Sequence, residues 1–224
     1  MRIIKLNAID STNTYLRELS TTDELKDYTV VVAKHQTNGR GQMGSKWNSQ
    51  EAKNLTFSVF KDVSFLDLNS TFFISLACSL AIVKALEQFM IPKLKVKWPN
   101  DILSESKKIC GILIENIVKQ TNVKDTIIGI GLNVNQTEFK KLPQASSLLL
   151  LTGKVYNTDE LMQAILKNLN YYFTHLKKNK HEFLIEEYEK LLFRKNKPST
   201  FESKTGETFS GIIKGINPNG NLMV

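Results

Sequence analysis

The sequence predicts an α+β fold, and three observations support this prediction. Four consecutive segments in the middle of the chain carry apolar residues at every second position, as strands do. Two segments with helical spacing of apolar residues then follow one after the other. The composition, 42% hydrophobic and 23% charged, is typical of a globular chain. Because strands and helices come in runs and do not alternate, α+β is favoured over a doubly wound parallel sheet. The strands are expected at 94–98, 101–103, 108–118 and 126–134, and the helices at about 158–178 and 181–193.

The N-terminal part of the chain is predicted to add further strands, two helices and one long loop. The strands are expected at 2–9, 28–34 and 55–60, and the helices at about 12–20 and 71–90. Asp10, Ser11 and Thr12 supply capping side chains for the first helix. Residues 35–53 are glycine-rich, polar and without periodicity, and loops of this length usually carry function.

The character of the chain changes after Lys195–Pro198, where short strands punctuated by glycine begin. Three such strands rarely bury a core of their own. We therefore expect a main domain over 1–193 and a small, partial β module over 194–224.

Composition also limits the class of protein. The longest apolar stretch, 72–83, is shorter than the roughly 20 residues that span a bilayer. The N-terminus lacks the apolar core of a signal peptide. Cys78 and Cys110 each lie in an apolar run and cannot form a disulfide framework. We expect a cytoplasmic protein that does not bind membranes.

The net charge of +8 raises the question of nucleic-acid binding. Only four of the 30 basic residues are arginine, the side chain best suited to contact phosphate and guanine, and the lysines are spread along the chain. General nucleic-acid binding is therefore not favoured, and an anionic substrate explains the charge equally well.

The first candidate motif is Gly39–Gly44, which matches G-x-G-x-x-G after a predicted strand. A dinucleotide-binding fingerprint requires a helix to begin at the third glycine, but the residues from Lys46 lead into another strand. What remains is a flexible loop with exposed amides, one arginine and Trp47, suited to close over a phosphate and stack on a base. An ordinary glycine-rich turn is the alternative.

The second motif, Lys95–Asp101, places Asn100 and Asp101 after a strand and a proline turn. This aspartate could orient a ribose hydroxyl or a metal-bound phosphate, although Asn-Asp after Pro is also common turn chemistry.

The third motif places Lys108 at the start of an apolar strand and Gly111 inside it. Glycine weakens a strand unless something approaches the backbone closely, so the pair suggests an anionic ligand. Cys110 is expected to be a buried structural thiol and not a nucleophile. A fourth motif, Gly129–Asn135, repeats strand glycines followed by asparagines able to bind an amide or purine edge.

Together, in this order, these motifs resemble the biotin–protein ligase family, in its form without an N-terminal DNA-binding domain. The matching patterns are S-T-N at 11–13, G-R-G-x-x-G-x-x-W at 39–47, K-W-P-N-D at 97–101, K-x-x-G-I-L-I-E at 108–115 and G-I-G-x-N-V-N at 129–135. The resemblance covers about residues 5–190. It implies a mixed sheet flanked by helices, like the cores of class II aminoacyl-tRNA synthetases, followed by an SH3-like β-barrel of which 194–224 would be a part.

The resemblance implies an ATP-dependent biotin–[acetyl-CoA-carboxylase] ligase. Such an enzyme makes biotinyl-5′-AMP from biotin and ATP, releases pyrophosphate, and transfers biotin to one lysine of a biotin carboxyl carrier domain. The expected substrates are ATP and biotin, with Mg²⁺ as cofactor, and the expected partner is the carrier domain. The protein would be a monomer or homodimer and would not bind DNA, because S-T-N begins at residue 11.

The resemblance also assigns roles to individual residues. Those matched to biotin binding are Ser11, Thr12, Asn13, Gln36, Gly39, Arg40, Gly41, Gln42, Lys108 and Gly111. Those matched to ATP or adenylate binding are Arg40, Trp47, Lys97, Asn100, Asp101, Lys108 and Asn133. Arg40, Lys108 and Asp101 are the expected catalytic residues, Trp47 is expected to stack on adenine, and no residue is assigned as a metal ligand.

Two departures from the family pattern are present. Gln42 and Ser45 stand where many relatives have basic residues, so the loop is expected to close differently or to hold adenylate less tightly. The last strands of the C-terminal barrel are also absent from the sequence, which is expected to affect carrier docking or closure over ATP.

Three alternatives stay open. A lipoate–protein ligase or octanoyltransferase shares the fold but has an R-R-x-S-G-G-G-like pattern, which this sequence lacks. A basic nucleic-acid-binding module leaves the glycine motifs unexplained. An inactive homologue is supported only by Gln42 and the short C-terminal part.

Overall fold

The computed structural model describes residues 1–119, 122–140, 142–203 and 205–224. The strands are β1 Arg2–Ile9, β2 Thr29–Gln36, β3 Leu55–Asp62, β4 Lys95–Lys97, β5 Asp101–Ser104, β6 Lys107–Lys119, β7 Asn122–Leu132, β8 Pro198–Glu202, β9 Thr208–Ile212, β10 Gly215–Ile216 and β11 Leu222–Met223. The helices are α1 Thr12–Thr22, α2 Phe72–Gln88, α3 Leu148–Thr152, α4 Thr158–Lys177 and α5 His181–Leu191.

The first seven strands form one sheet in the order β1-β2-β3-β7-β6-β5-β4 within the described part of the chain. β1 and β2 are parallel and the other neighbouring strands are antiparallel, so the sheet is mixed. Consecutive strands β4 to β7 are joined directly, without helices between them. The structure confirms the predicted α+β fold with a mixed sheet.

The two faces of the sheet have different coverings. Phe57, Ile112 and Ile130 point to the face covered by α2, where the main core lies, and α4 and α5 pack behind α2. The opposite face is covered in part by α1, whose Leu16 packs with Val31 in a second, smaller core. Because strand residues alternate between faces, Thr56, Ser58 and the glycines of β6 and β7 lie on the α1 face.

The apolar helix α2 extends beyond 72–83, the longest apolar stretch of the sequence. The helical segment Leu68–Gln88 is long and apolar enough to cross a membrane by length and composition, but 61% of its most apolar window is buried inside the protein. Its burial, and not its length, identifies it as a core helix.

The C-terminal residues form two short strand pairs, β8–β9 and β10–β11. Three strands were expected in this segment, and the structure has four, because Ile213 and Lys214 separate β9 from β10. Glu189 on α5 accepts hydrogen bonds from the Ile216 amide (2.9 Å) and the Lys195 ammonium (2.6 Å), which ties this segment to the main sheet domain. The boundary at residue 193 stays a prediction.

Candidate functional site

A cavity of about 430 Å³ lies on the α1 face of the sheet. The strand register places Thr56, Gly131, Gly111 and Asp101 in one row across β3, β7, β6 and β5. The two glycines leave the middle of this row without side chains. The sequence therefore builds an open floor, which the start of α1 and the 39–47 loop surround.

One end of the cavity, here called the neutral end, has walls of uncharged side chains, Ser11, Thr12, Asn13 and Gln36, and Ser58 lies fully buried behind Thr12 and Asn13. Gln36 Oε1 accepts from both the amide (2.9 Å) and the hydroxyl (3.0 Å) of Thr12. Ser58 Oγ lies 2.7 Å from Thr12 Oγ1 and 2.6 Å from Asn13 Oδ1. Ser11 caps α1 by accepting from the Thr14 amide. Ser11 thus caps α1, whereas the Thr12 side chain hydrogen bonds to Gln36 and Ser58.

Space at the neutral end depends on Gly129, which pairs with Ser58 across β7 and β3. A Cβ atom at Gly129 would lie 2.3 Å from Asn13 Oδ1, closer than any real contact. The glycine is therefore required for the Asn13 amide to lie on the sheet.

The other end, here called the charged end, contains Lys108 and Asp101. Lys108 Nζ lies 2.7 Å from Asp101 Oδ1, and the two side chains are 36% and 19% exposed. The strand register places them next to each other, since Asp101 pairs with Gly111 and Leu103 pairs with Lys108. Asn100 donates to the Ile112 carbonyl (2.9 Å) and so fixes the turn that precedes β5. The ammonium of Lys108 provides a positive charge at the cavity wall.

Trp47 lies on the bare floor of the charged end. A Cβ at Gly131 would lie 2.4 Å from the indole ring, and one at Gly111 would lie 3.2 Å from it. Lys108 Nζ lies 5.9 Å from the ring centroid. The indole N–H is buried and has no hydrogen-bond partner among the described residues. Trp47 thus lines the cavity with an aromatic surface, and its indole N–H lies against the sheet at Gly131.

The 39–47 loop is closed on itself by hydrogen bonds. The Trp47 amide donates to the Gly39 carbonyl (2.9 Å), and the Gly41 amide donates to the Ser45 carbonyl (2.7 Å). The Ser45 hydroxyl donates to the Gln42 carbonyl (2.8 Å), inside the turn. Ser45, a departure from the family pattern, therefore stabilises the turn of the loop, and no helix begins at Gly44.

Arg40 forms an ion pair with Glu115. Its guanidinium donates to Glu115 Oε2 at 3.0 Å, on the far side of the neutral end from Lys108. Glu115 also accepts from Asn13 Nδ2 (2.7 Å) and lies 3.8 Å from the guanidinium of Arg17. The ligand-binding and catalytic roles that the resemblance gives Arg40 stay predictions.

Most of the predicted site residues surround one cavity. Its walls include Ser11, Thr12, Asn13, Gln36, Arg40, Gly41, Gln42, Trp47, Asn100, Asp101, Lys108 and Gly111. Gly39 lies just outside, in the groove beneath the loop.

Two predicted residues are not part of this wall in the described chain. Lys97 is exposed on the edge strand β4. Asn133 is buried and donates to the Ser146 carbonyl (3.0 Å), where it supports the connector that leads to α3. The contacts of these two side chains with the nucleotide stay predictions.

The sequence prediction missed Ser58 and Glu115 as site residues. Ser58 could have been identified from the sequence, because it is a small polar residue within an otherwise apolar predicted strand. Glu115 was part of a quoted motif, but its partners on α1 and the loop are distant in sequence. Trp98 also lines the cavity, and its indole donates to the Gly220 carbonyl (2.9 Å) of the C-terminal turn.

The thiols take no part in the site. Cys78 and Cys110 are fully buried, and burial raises the pKa of each thiol well above its usual range. Cys110 points to the α2 face, which confirms the expected structural thiol. Among the described residues no group of three or more His, Cys, Asp or Glu side chains could hold a metal ion.

The comparisons with known proteins agree with this geometry. The profile of the biotin/lipoate A/B protein ligase family matches residues 6–133. The bifunctional ligase/repressor BirA of Bacillus subtilis is 34% identical over 183 residues, which cover 77% of this chain and 55% of BirA. The biotin–[acetyl-CoA-carboxylase] ligase of Mycobacterium tuberculosis is 29% identical over 88% of this chain and 73% of its own length. The chain thus spans about half the length of BirA.

The structure is also similar to solved structures. The biotin protein ligase of Aquifex aeolicus in complex with biotin and ATP has a TM-score of 0.84 and 28% identity, covering 99% of this chain and 90% of that one. This likeness confirms the expected biotin-ligase-like fold. On the profile match and the shared fold, the chain belongs to the biotin/lipoate A/B protein ligase family.

Proposed function

We propose that the protein is an ATP-dependent biotin–protein ligase. It joins the biotin carboxylate to the α-phosphate of ATP, releasing pyrophosphate, and then transfers the biotinyl group to a lysine of a biotin carboxyl carrier domain. The observation that carries this proposal is a single cavity with an uncharged hydrogen-bonding end and a lysine at the other end.

The neutral end fits the ureido ring of biotin, which has two N–H donors and one carbonyl. Three pairs of side-chain oxygens lie within hydrogen-bond distance: Thr12 with Gln36, Ser58 with Thr12, and Ser58 with Asn13. Only the two hydroxyls, of Thr12 and Ser58, supply a hydrogen for these three contacts. An acceptor is therefore left over at this group, and a ligand N–H can use it. Buried polar groups that are already oriented favour a specific polar ligand.

The charged end fits the reacting groups. The biotin carboxylate and the ATP phosphate repel each other, and the ammonium of Lys108 reduces this repulsion and stabilises charge in the transition state. Arg40 adds a second cation only when it exchanges Glu115 for the ligand. No side chain acts as a nucleophile: a carboxylate oxygen attacks phosphorus and pyrophosphate leaves. The carrier lysine then attacks the acyl carbon and AMP leaves.

Asp101 has two proposed tasks. Its carboxylate faces the cavity beside Lys108, where it can orient the carrier lysine or accept a proton from its amine. A single carboxylate together with substrate phosphates is the usual protein environment of Mg²⁺, so a Mg²⁺ ion bound to ATP fits at Asp101. Bound there, the ion would neutralise phosphate charge.

Trp47 offers the adenine ring a stacking surface on the floor of the charged end.

The names of the relatives support the proposed ligase activity, since one is a biotin–[acetyl-CoA-carboxylase] ligase and a solved neighbour is in complex with biotin and ATP. A carrier-domain partner, a cytoplasmic location, a monomer or homodimer, and no binding of DNA complete the proposal.

The test is incubation with biotin, Mg-ATP and a carrier domain, followed by intact mass measurement of the carrier. The expected result is a mass increase of one biotinyl group that requires both ATP and the carrier lysine. A parallel reaction with lipoate tests the neighbouring activity within the same family. Modification by lipoate and not by biotin would contradict the proposal.

A further inference from the structure

We infer that Glu115 is a positioning residue for two parts of the site, the Asn13 amide and the 39–47 loop. The inference rests on the proposed function in one respect only, the binding of biotin by Asn13. Glu115 lies on the same face of β6 as Gly111 and Leu113, one side-chain row beyond the neutral end.

The carboxylate of Glu115 is the centre of a small charged cluster. Its Oε2 accepts from Asn13 Nδ2 at 2.7 Å and from Arg40 Nη2 at 3.0 Å, and its Oε1 lies 3.8 Å from Arg17 Nη2. The Glu115 side chain is 18% exposed, against 45% for Arg17 and 42% for Arg40. The cluster therefore joins α1, β6 and the loop through one partly buried carboxylate.

Glu115 determines which way the Asn13 amide points. An ionised carboxylate only accepts hydrogen bonds, so it requires the NH₂ group of Asn13 on its side. Asn13 Oδ1 is then directed toward Ser58 and lies over Gly129. Without Glu115 the NH₂ group keeps only a long contact to the Leu113 carbonyl (3.4 Å), and the amide is free to turn over.

Glu115 also anchors the loop by its charge. The hydrogen bonds within 39–47 close the loop on itself, and they do not tie it to β6. The packing of Trp47 on Gly111 connects one end of the loop to β6, and the ion pair of Arg40 with Glu115 connects the other end. Arg17 stays beside Glu115 and balances its charge when Arg40 turns toward an anionic ligand.

Two substitutions separate these two tasks. Glu115→Gln keeps an oxygen acceptor for Asn13 but removes the charge that holds Arg40. Glu115→Ala removes both. Glu18→Ala is the matched control, because Glu18 is an exposed carboxylate on α1. The arginines of the cluster are partly exposed, so only a small fall in melting temperature is expected, and a single cooperative unfolding transition in each variant confirms folding.

The experiment uses two readouts on the whole chain. Trypsin cleavage after Lys46, without any ligand, reports on the anchoring of the loop. Biotin affinity by calorimetry, without ATP, reports on Asn13. Both variants are expected to be cleaved faster than the wild type and the Glu18→Ala control. Biotin affinity should fall about tenfold in Glu115→Ala and stay within about threefold of the wild type in Glu115→Gln.

The outcomes distinguish the inference from the proposed function. Wild-type cleavage rates in both Glu115 variants, or wild-type biotin affinity in Glu115→Ala, would overturn the inference. If the wild type itself binds no biotin, the proposed function and the Asn13 part of the inference fail, and the cleavage rates still decide the loop part.

Discussion

The two ends of the cavity differ in charge, exposure and partners. At the neutral end Thr12, Asn13 and Ser58 are almost fully buried and bond to one another. At the charged end Lys108 and Asp101 form one ion pair that stays partly exposed. Buried, satisfied polar groups are rigid and suit recognition, whereas an exposed cation can change partners and suits chemistry. This difference predicts that the two ends control different steps.

The largest effect is expected from Lys108→Ala. Removal of the ammonium should slow adenylate formation about 10²–10³-fold, since loss of one such contact to a developing charge costs about 2–4 kcal/mol. Pyrophosphate release measures this rate, and circular dichroism checks that the variant is folded. Turnover at the wild-type rate would contradict the role of Lys108.

Substitutions at Gly129 and Gly131 test separately whether the neutral end binds biotin and the charged end binds ATP. Gly129→Ala places a methyl group 2.3 Å from Asn13 Oδ1 and should weaken biotin binding by about 1–3 kcal/mol. Gly131→Ala displaces Trp47 instead and should weaken ATP binding more than biotin binding. Calorimetry with each ligand measures both. An equal loss of both affinities in both variants would mean that the ends are not separate.

Thr12→Val is expected to have a smaller effect at the neutral end. The substitution removes the hydroxyl that contacts Gln36 and Ser58 and leaves the side-chain volume nearly unchanged. Loss of a buried hydroxyl contact costs about 1–2 kcal/mol, so the KM for biotin should rise roughly five- to thirtyfold. Steady-state kinetics at varied biotin concentration measure it. An unchanged KM would exclude Thr12 from biotin binding.

The smallest effect is expected from Gln42→Arg. Gln42 lines the cavity, so a positive charge there should hold the adenylate phosphate and slow adenylate release a few-fold. The wild type should accordingly biotinylate bystander lysines more readily. Asn48→Arg adds the same charge at an exposed position of the same segment that does not line the cavity, and serves as the control. Equal release rates in wild type and Gln42→Arg would mean that Lys46 already compensates.

The sequence predicted the order of the main elements because periodicity reports which face of a strand or helix is apolar. It did not predict the five-residue helix α3 or the break between β9 and β10. Gly111, Gly129 and Gly131 were identifiable from the sequence because glycine weakens the interior of a strand and often marks a close approach to the backbone.

Positions that depend on tertiary pairing were not predictable in the same way. The register of β3 against β7 places Ser58 beside Gly129, and no local signal gives that register. Asn133 matched a family motif, but its amide satisfies the Ser146 carbonyl of a buried connector. Arg40 matched as well, and Glu115 determines where its guanidinium lies.

The most direct test of two separate ends is pyrophosphate release at saturating biotin in Thr12→Val and Lys108→Ala. A residue that only binds substrate changes KM, and a residue that stabilises the transition state lowers kcat. We predict that excess biotin restores the wild-type rate in Thr12→Val and leaves Lys108→Ala about 10²–10³-fold slow. Rescue of Lys108→Ala by biotin, or a low kcat in Thr12→Val, would contradict this division of the cavity.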